Sequence, residues 1–139
     1  MTEIEIALVK KTWRMFREVN PSVVGDVFYT CLFTYNPSLR KMFPASMNEQ
    51  YQKLMEMIST IVSRLEKPHE VSHEISELAR RHVKYGVRPG HYKLVGKALL
   101  WTLQHGLGKD WTPEVETAWL KCYSRLSESM IQATINMHA

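Results

Sequence analysis

Six histidines, at positions 69, 73, 82, 91, 105 and 138, are the side chains best suited to metal or proton chemistry in this 139-residue sequence. A neutral imidazole is both a proton carrier near neutral pH and a common transition-metal ligand. No HExxH, CxxC, P-loop or GxSxG pattern occurs, so most hydrolase and nucleotide chemistry lacks its usual residues. His69 and His73 are four apart, a spacing that metals use on a helix face. No third ligand accompanies them, and a solvated surface pair is the expectation. His82 stands in a different setting, at the end of a helical segment that Gly86 closes. Leu78, one turn earlier, faces the same way. By spacing alone, a histidine at a helix end is more often stabilised by the helix dipole at the surface than bound to a metal.

Cys31 and Cys122 are the only cysteines, and each falls inside a helical apolar pattern. Their separation gives little support for a disulfide and none for a zinc cluster, so buried free thiols are expected.

The elements that would position these residues all read as helices. Thr2 can cap a first helix with Glu3 and Glu5 in its opening turn and Ile6, Val9, Trp13 and Phe16 along one face. Asn20-Pro21 starts a second, whose apolar side is Val24, Val27, Phe28, Cys31 and Leu32. Asn36-Pro37 opens a short helix ending near Phe43-Pro44. A long amphipathic stretch from Met47 to Leu65 carries Leu54, Ile58, Ile61 and Leu65 on one face, and Lys67-Pro68 ends it. Ser72 to Tyr85 is more polar. Gly90 to Leu107 is strongly apolar and is expected to stop at Gly106 and Gly108. Thr112-Pro113 starts a last helix with Val115, Trp119, Cys122, Tyr123, Leu126 and Met130 inward. No repeat or linker interrupts the chain, so residues 1–139 read as a single all-α domain of six to seven helices.

Composition narrows the function. Hydrophobic residues at 45% and charged ones at 23% are the balance of a soluble globular protein. No apolar run approaches a membrane span, and the acidic N-terminus lacks a secretory pattern, so a cytoplasmic protein is the expectation. The net charge of +4 could suit nucleic acid. The basic residues are spread along the chain, with adjacent pairs such as Lys10-Lys11 and Arg80-Arg81, and no basic block is interleaved with aromatics. Nucleic-acid binding is therefore not expected.

Over its whole length the chain resembles the globins, nearest to bacterial single-domain globins and the globin part of flavohaemoglobins. The resemblance rests on Trp13, Phe28-Tyr29, Asn36-Pro37, Phe43, Arg81-His82, Gly86-Val87-Arg88-Pro89, Tyr92, Val95-Gly96 and Ala118-Trp119, in the family's order. It implies a globin fold enclosing one haem b (iron protoporphyrin IX), with His82 as the proximal iron ligand. The other ring N–H of His82 must then find an acceptor, expected to be a backbone carbonyl near Leu78. Phe43 matches the corner aromatic that stacks on the porphyrin. Leu54, Leu78, Val87, Tyr92, Val95 and Leu99 fall where the pocket walls would lie. By position and charge, Lys53 and Arg81 or Lys84 are the candidates to meet the propionates.

On the distal side, Tyr29 matches the tyrosine that bacterial globins aim at a bound ligand. Gln50 falls at the polar position of the distal helix, one turn before Leu54, with Gln52 as the alternative. No histidine matches the distal position, so a five-coordinate or water-ligated iron is implied. The chain departs from flavohaemoglobins where a glutamate near the end of the last helix is replaced, at about Thr134. No acid follows Glu128, so peroxidase-like chemistry is not expected. With the sequence read to Ala139, flavin and nicotinamide domains are not expected. The resemblance thus implies reversible binding of dioxygen, and of NO or CO, with no catalytic residue of its own. Nitric oxide dioxygenase activity with a separate reductase, gas sensing through a partner, and a haem-free relative are the alternatives.

Overall fold

Capping residues set where the helices begin. Thr2 and Glu5 exchange side-chain and backbone hydrogen bonds at 2.8 and 3.1 Å, a reciprocal box that satisfies two free amides at the start of α1 (Glu3–Arg17). Asn20 caps α2 (Pro21–Tyr35), where Pro21 occupies the first turn at no hydrogen-bonding cost. Asn36 caps a short 3-10 segment, Pro37–Met42. Then come α3 (Asn48–Ser63), a second 3-10 turn (Pro68–Val71), α4 (Ser72–Lys84), α5 (His91–Leu107), a third 3-10 turn (Gly108–Asp110) and α6 (Pro113–Met137), capped by Thr112. The computed structural model describes residues 1–137, with the backbone alone at Met137, and His138 lies outside the described residues. Among the described residues there is no strand, as the helical periodicity predicted. No described helix is long and apolar enough to cross a membrane.

The apolar stripes bury against one another in two clusters. In the larger, Val9, Trp13 and Phe16 of α1 meet Leu103 and Leu107 of α5 and Val115, Ala118, Trp119 and Cys122 of α6. Its two indoles are buried with their N–H groups satisfied: Trp13 donates to Ser59 Oγ and Trp119 to Thr12 Oγ1, each at 2.9 Å. The smaller cluster holds Phe28, Tyr29 and Leu32 of α2, Leu39 and Ala98, and α2 lies across α3 and α5 to form it.

Three glycines let helices approach closely. A Cβ on Gly25 would lie 2.5 Å from the Tyr51 ring, and one on Gly96 would lie 2.7 Å from Tyr123. Gly106 was expected to help stop α5. Instead it lies inside that helix against the Phe16 ring, and Gly108, at φ 55°, terminates it. Two smaller expectations also change. Val27 is exposed rather than part of the inner face of α2, and Leu65 is buried just beyond the end of α3.

Candidate functional site

The last turn of α4 fixes His82 at both its side chain and its backbone. Its Nδ1 lies 2.8 Å from the Leu78 carbonyl oxygen, one turn earlier. A carbonyl only accepts, so Nδ1 carries the proton and Nε2 is left with a bare lone pair. The helix then ends in a glycine-dependent turn. Gly86, at φ 88°, donates to the Val83 carbonyl, and Val87 donates to the His82 carbonyl, each at 3.0 Å. Burial holds the His82 pKa below the usual imidazole value, and the Arg81 charge acts in the same direction against the opposing Leu78 hydrogen bond. The ring is therefore neutral near pH 7, the form that ligates a metal.

No described group of three or more His, Cys, Asp or Glu residues could hold a metal ion. A metal reaching His82 would have to bring most of its own ligands, as a porphyrin does. His69 and His73 are exposed and sit on separate elements, the second 3-10 turn and α4. Both described cysteines are free, and burial pushes the Cys122 thiol up to about 11.

Tyr29 is buried in α2 inside a cage of aromatic rings: Phe28 at 4.9 Å, Phe43 at 5.3 Å, Phe33 at 5.9 Å and Tyr51 at 6.0 Å between centroids. Gln50 Nε2 donates to its hydroxyl at 3.0 Å. Gln52, the alternative, is exposed. Burial pushes the Tyr29 pKa up to about 12, with the Gln50 hydrogen bond opposing it, so the phenol keeps its proton over the ordinary pH range. Because its oxygen already accepts from Gln50, that proton is available to a third group.

Phe43 sits at the corner after the first 3-10 segment in extended conformation. Arg40 holds the corner by donating to the carbonyls of Phe43, Pro44 and Ala45 at 2.9–3.2 Å. Neither Arg40 nor Tyr51 stood out in the sequence. A cation three residues before a corner aromatic was the available signal for the first, and Gly25 for the second.

Leu54, Val95 and Leu99 pack, as Phe43 does, against the Tyr29 cluster, whereas Leu78, Val87 and Tyr92 are not among the apolar residues packed on it. Met42, which also packs on that cluster, reaches the turn that follows His82, its Cε 3.9 Å from the position of a Cβ on Gly86. All seven expected wall and ligand residues, Leu54, Leu78, His82, Val87, Tyr92, Val95 and Leu99, are half-buried rather than enclosed. Apolar side chains left this incompletely covered are suited to a flat apolar partner. Tyr92 offers its backbone carbonyl to the Tyr123 hydroxyl at 2.6 Å, and burial raises its own pKa. Lys53, Arg81 and Lys84 are exposed and make no ion pair among the described residues. Thr134 turns its hydroxyl onto the Met130 carbonyl of its own helix. A cavity of about 850 Å³ between the end of α3, α4 and α6 contains none of the expected haem-site residues. A second, of about 310 Å³, lies beside Tyr29, Phe33 and Tyr51.

Comparison with known proteins bears on the family and the fold. The sequence profile of the globin family matches residues 26–130. The flavohemoprotein of Bordetella pertussis is 31% identical over 128 residues, which are 90% of this chain but 32% of that protein, so the chain spans about a third of that relative. A bacterial globin from Campylobacter jejuni superposes with a TM-score of 0.87 at 21% identity, over 99% of both chains. An engineered carbene transferase, from a candidate nitric oxide dioxygenase of Rhodothermus marinus, superposes with a TM-score of 0.85 at 22% identity, over 99% of this chain and 96% of that one. With its helical order, its tethered histidine and its matching profile, the chain belongs to the globin family.

Proposed function

We propose that this globin binds haem b through His82 Nε2 and uses Tyr29 to retain dioxygen reversibly. The porphyrin iron, when bound, supplies the centre that takes dioxygen, NO or CO. The observation that carries the reading is the hydrogen bond from Gln50 to Tyr29, within the apolar cluster that also holds Phe43, Leu54, Val95 and Leu99. His82 arrives at the site neutral and already oriented by Leu78, so ligation requires neither loss of a proton nor a choice of tautomer. Tyr29 presents a phenol proton in a pocket that largely excludes water, where a hydrogen bond to a partly charged ligand is strong. Phe43 and the half-buried aliphatic walls supply apolar contact for the macrocycle. Lys53, with Arg81 or Lys84, supplies charge for its carboxylates at the exposed edge.

Hydrogen bonds to charged groups contribute about 1.5–3 kcal/mol, and about 1.4 kcal/mol is tenfold in an equilibrium. Tyr29→Phe should therefore speed dioxygen release by roughly ten- to a hundredfold. Stopped-flow displacement of dioxygen by carbon monoxide reads this directly, and an unchanged off-rate would remove Tyr29 from the ligand site.

A second reading, nitric oxide dioxygenase activity, draws on the flavohemoprotein relative and the Rhodothermus neighbour. It makes nitrate from nitric oxide and dioxygen, and each turnover needs one electron from a reductase. Nitric oxide consumption that continues past one equivalent per haem, when a flavin reductase and NADH are supplied, would establish it. Consumption that stops at one equivalent would leave reversible binding.

A further inference from the structure

The basic residues are less evenly distributed than the sequence reading suggested. Between Leu78 and Lys109 there are seven Lys or Arg and no Asp or Glu. The other eleven basic residues are outnumbered by all fourteen acidic ones. Five of the seven, Arg81, Lys84, Arg88, Lys93 and Lys97, lie at the end of α4, in the turn after it and on the first two turns of α5, whereas Arg80 pairs with Glu77 and Lys109 lies in the third 3-10 turn.

That region is one corner of the molecule. Arg81 and Lys84 project from the last turn of α4, Arg88 from the connecting turn, and Lys93 and Lys97 from successive turns of α5, and all are exposed. Lys41, also exposed, joins them, because its neighbour Met42 reaches Gly86. None of these six makes an ion pair among the described residues. The two carboxylates of a porphyrin would match two of them and leave an excess. The stripe of Lys93 and Lys97 continues one turn further to Trp101, which is 39% exposed and stacks on His105 with centroids 3.9 Å apart. A rim of unpaired charge beside an exposed indole is the composition of a docking surface, in which the charges steer encounter and the aromatic anchors contact.

We infer that this corner docks an acidic one-electron carrier, a protein holding a reduced flavin or iron–sulfur centre. The choice of partner rests on the haem reading above, because Arg81 and Lys84 lie on the helical turn that carries His82 and Arg88 lies on the turn that follows it. An acidic protein seated there brings its redox centre to the exposed edge of the porphyrin site. One electron then leaves the carrier, which is oxidised, and ferric iron is reduced to ferrous. No bond to the protein forms or breaks.

The test uses the full chain loaded with hemin and a purified flavodoxin, an acidic flavin carrier, as the probe. Reduction of the ferric protein by flavodoxin hydroquinone is followed by stopped flow across a range of salt. The expected result is a rate that falls steeply with salt. Lys93→Glu/Lys97→Glu should lower it about tenfold or more at low ionic strength, the scale of electrostatic steering. Lys11→Glu/Arg14→Glu makes the same change in net charge on α1 and should have little effect, and dithionite should reduce all three proteins alike. With oxidised flavodoxin and the carbon monoxide-ligated ferrous protein, amide shifts should concentrate at Arg88, Lys93, Lys97 and Trp101.

Equal losses in the two charge-reversal variants, or shifts centred elsewhere, would overturn the docking site. So would binding of this corner to phosphatidylglycerol vesicles or duplex DNA in preference to flavodoxin. Failure of the underlying haem reading is seen separately, because hemin-loaded protein would then lack a histidine-ligated spectrum before any flavodoxin is added.

Discussion

The phenol of Tyr29 and the amide of Gln50 act in series. The amide donates to the phenol oxygen, which leaves the phenol proton free, and in the proposed function that proton goes to the ligand. Gln50→Leu should therefore speed dioxygen release less than Tyr29→Phe does, and the double variant should be no faster than Tyr29→Phe alone. Two donors acting in parallel would give a double variant faster than either single one, so a double-mutant cycle on the off-rate separates the arrangements. With its pKa at about 12, the phenol stays protonated across neutral and moderately alkaline pH, so any pH dependence of release there must come from other groups. Much of this was legible in the sequence. The turn spacing of Leu78 and His82 anticipated the carbonyl that now holds Nδ1, and the resemblance supplied Tyr29 and Gln50. The order of donation was not legible, because it depends on how closely α2 and α3 approach.

That approach is decided at the scale of helices. Gly25 carries no side chain where the Tyr51 ring crosses, and the contact fixes the separation of the helices bearing Tyr29 and Gln50. Gly25→Ala should cost about 1–3 kcal/mol of stability, as overpacking does, and should also speed dioxygen release by moving Gln50 away from the phenol. Chemical denaturation and the off-rate, measured on the same protein, check both parts. A second element-level test concerns the α1–α6 contact. Thr12 is the acceptor for the buried Trp119 indole while its own proton goes to Leu8. Thr12→Val keeps the shape but strands the indole N–H, at a cost of about 1–3 kcal/mol. Helix starts were readable because Thr2, Asn20, Asn36 and Thr112 are local capping signals. Gly106 was misread because a glycine needed for packing against a distant ring looks, in one dimension, like a helix stop. Val27 was misread for a related reason: apolar spacing marks a face but does not say which part of it a neighbour covers.

At the scale of the whole molecule, one carboxylate adds an ion pair between the first and last helices. Glu5 completes the cap of α1 and also receives Lys121 of α6 at 2.6 Å. The Lys121 hydrogen bond, then the Thr2 backbone bond, hold its pKa at about 2, down from 4.5. A depressed carboxyl pKa favours the folded state above the unfolded value. That contribution is present above about pH 4.5 and is lost as the pH falls through about 2. Glu5→Gln should therefore lower the melting temperature at neutral pH, and the difference from the wild type should narrow across that acid window. A constant difference would place the effect outside the titration of Glu5. Net charge, by contrast, was a poor guide to the surface. A modest overall +4 concealed a basic corner set against an acidic remainder, because a sum over residues discards position.

The most direct test of the central claim is the resonance Raman spectrum of the ferrous, hemin-reconstituted protein beside that of His82→Ala. A five-coordinate iron with an iron–histidine stretch in the wild type, absent from the variant, is the predicted result. The same stretch persisting without His82, or a protein that takes up no hemin at all, would contradict it.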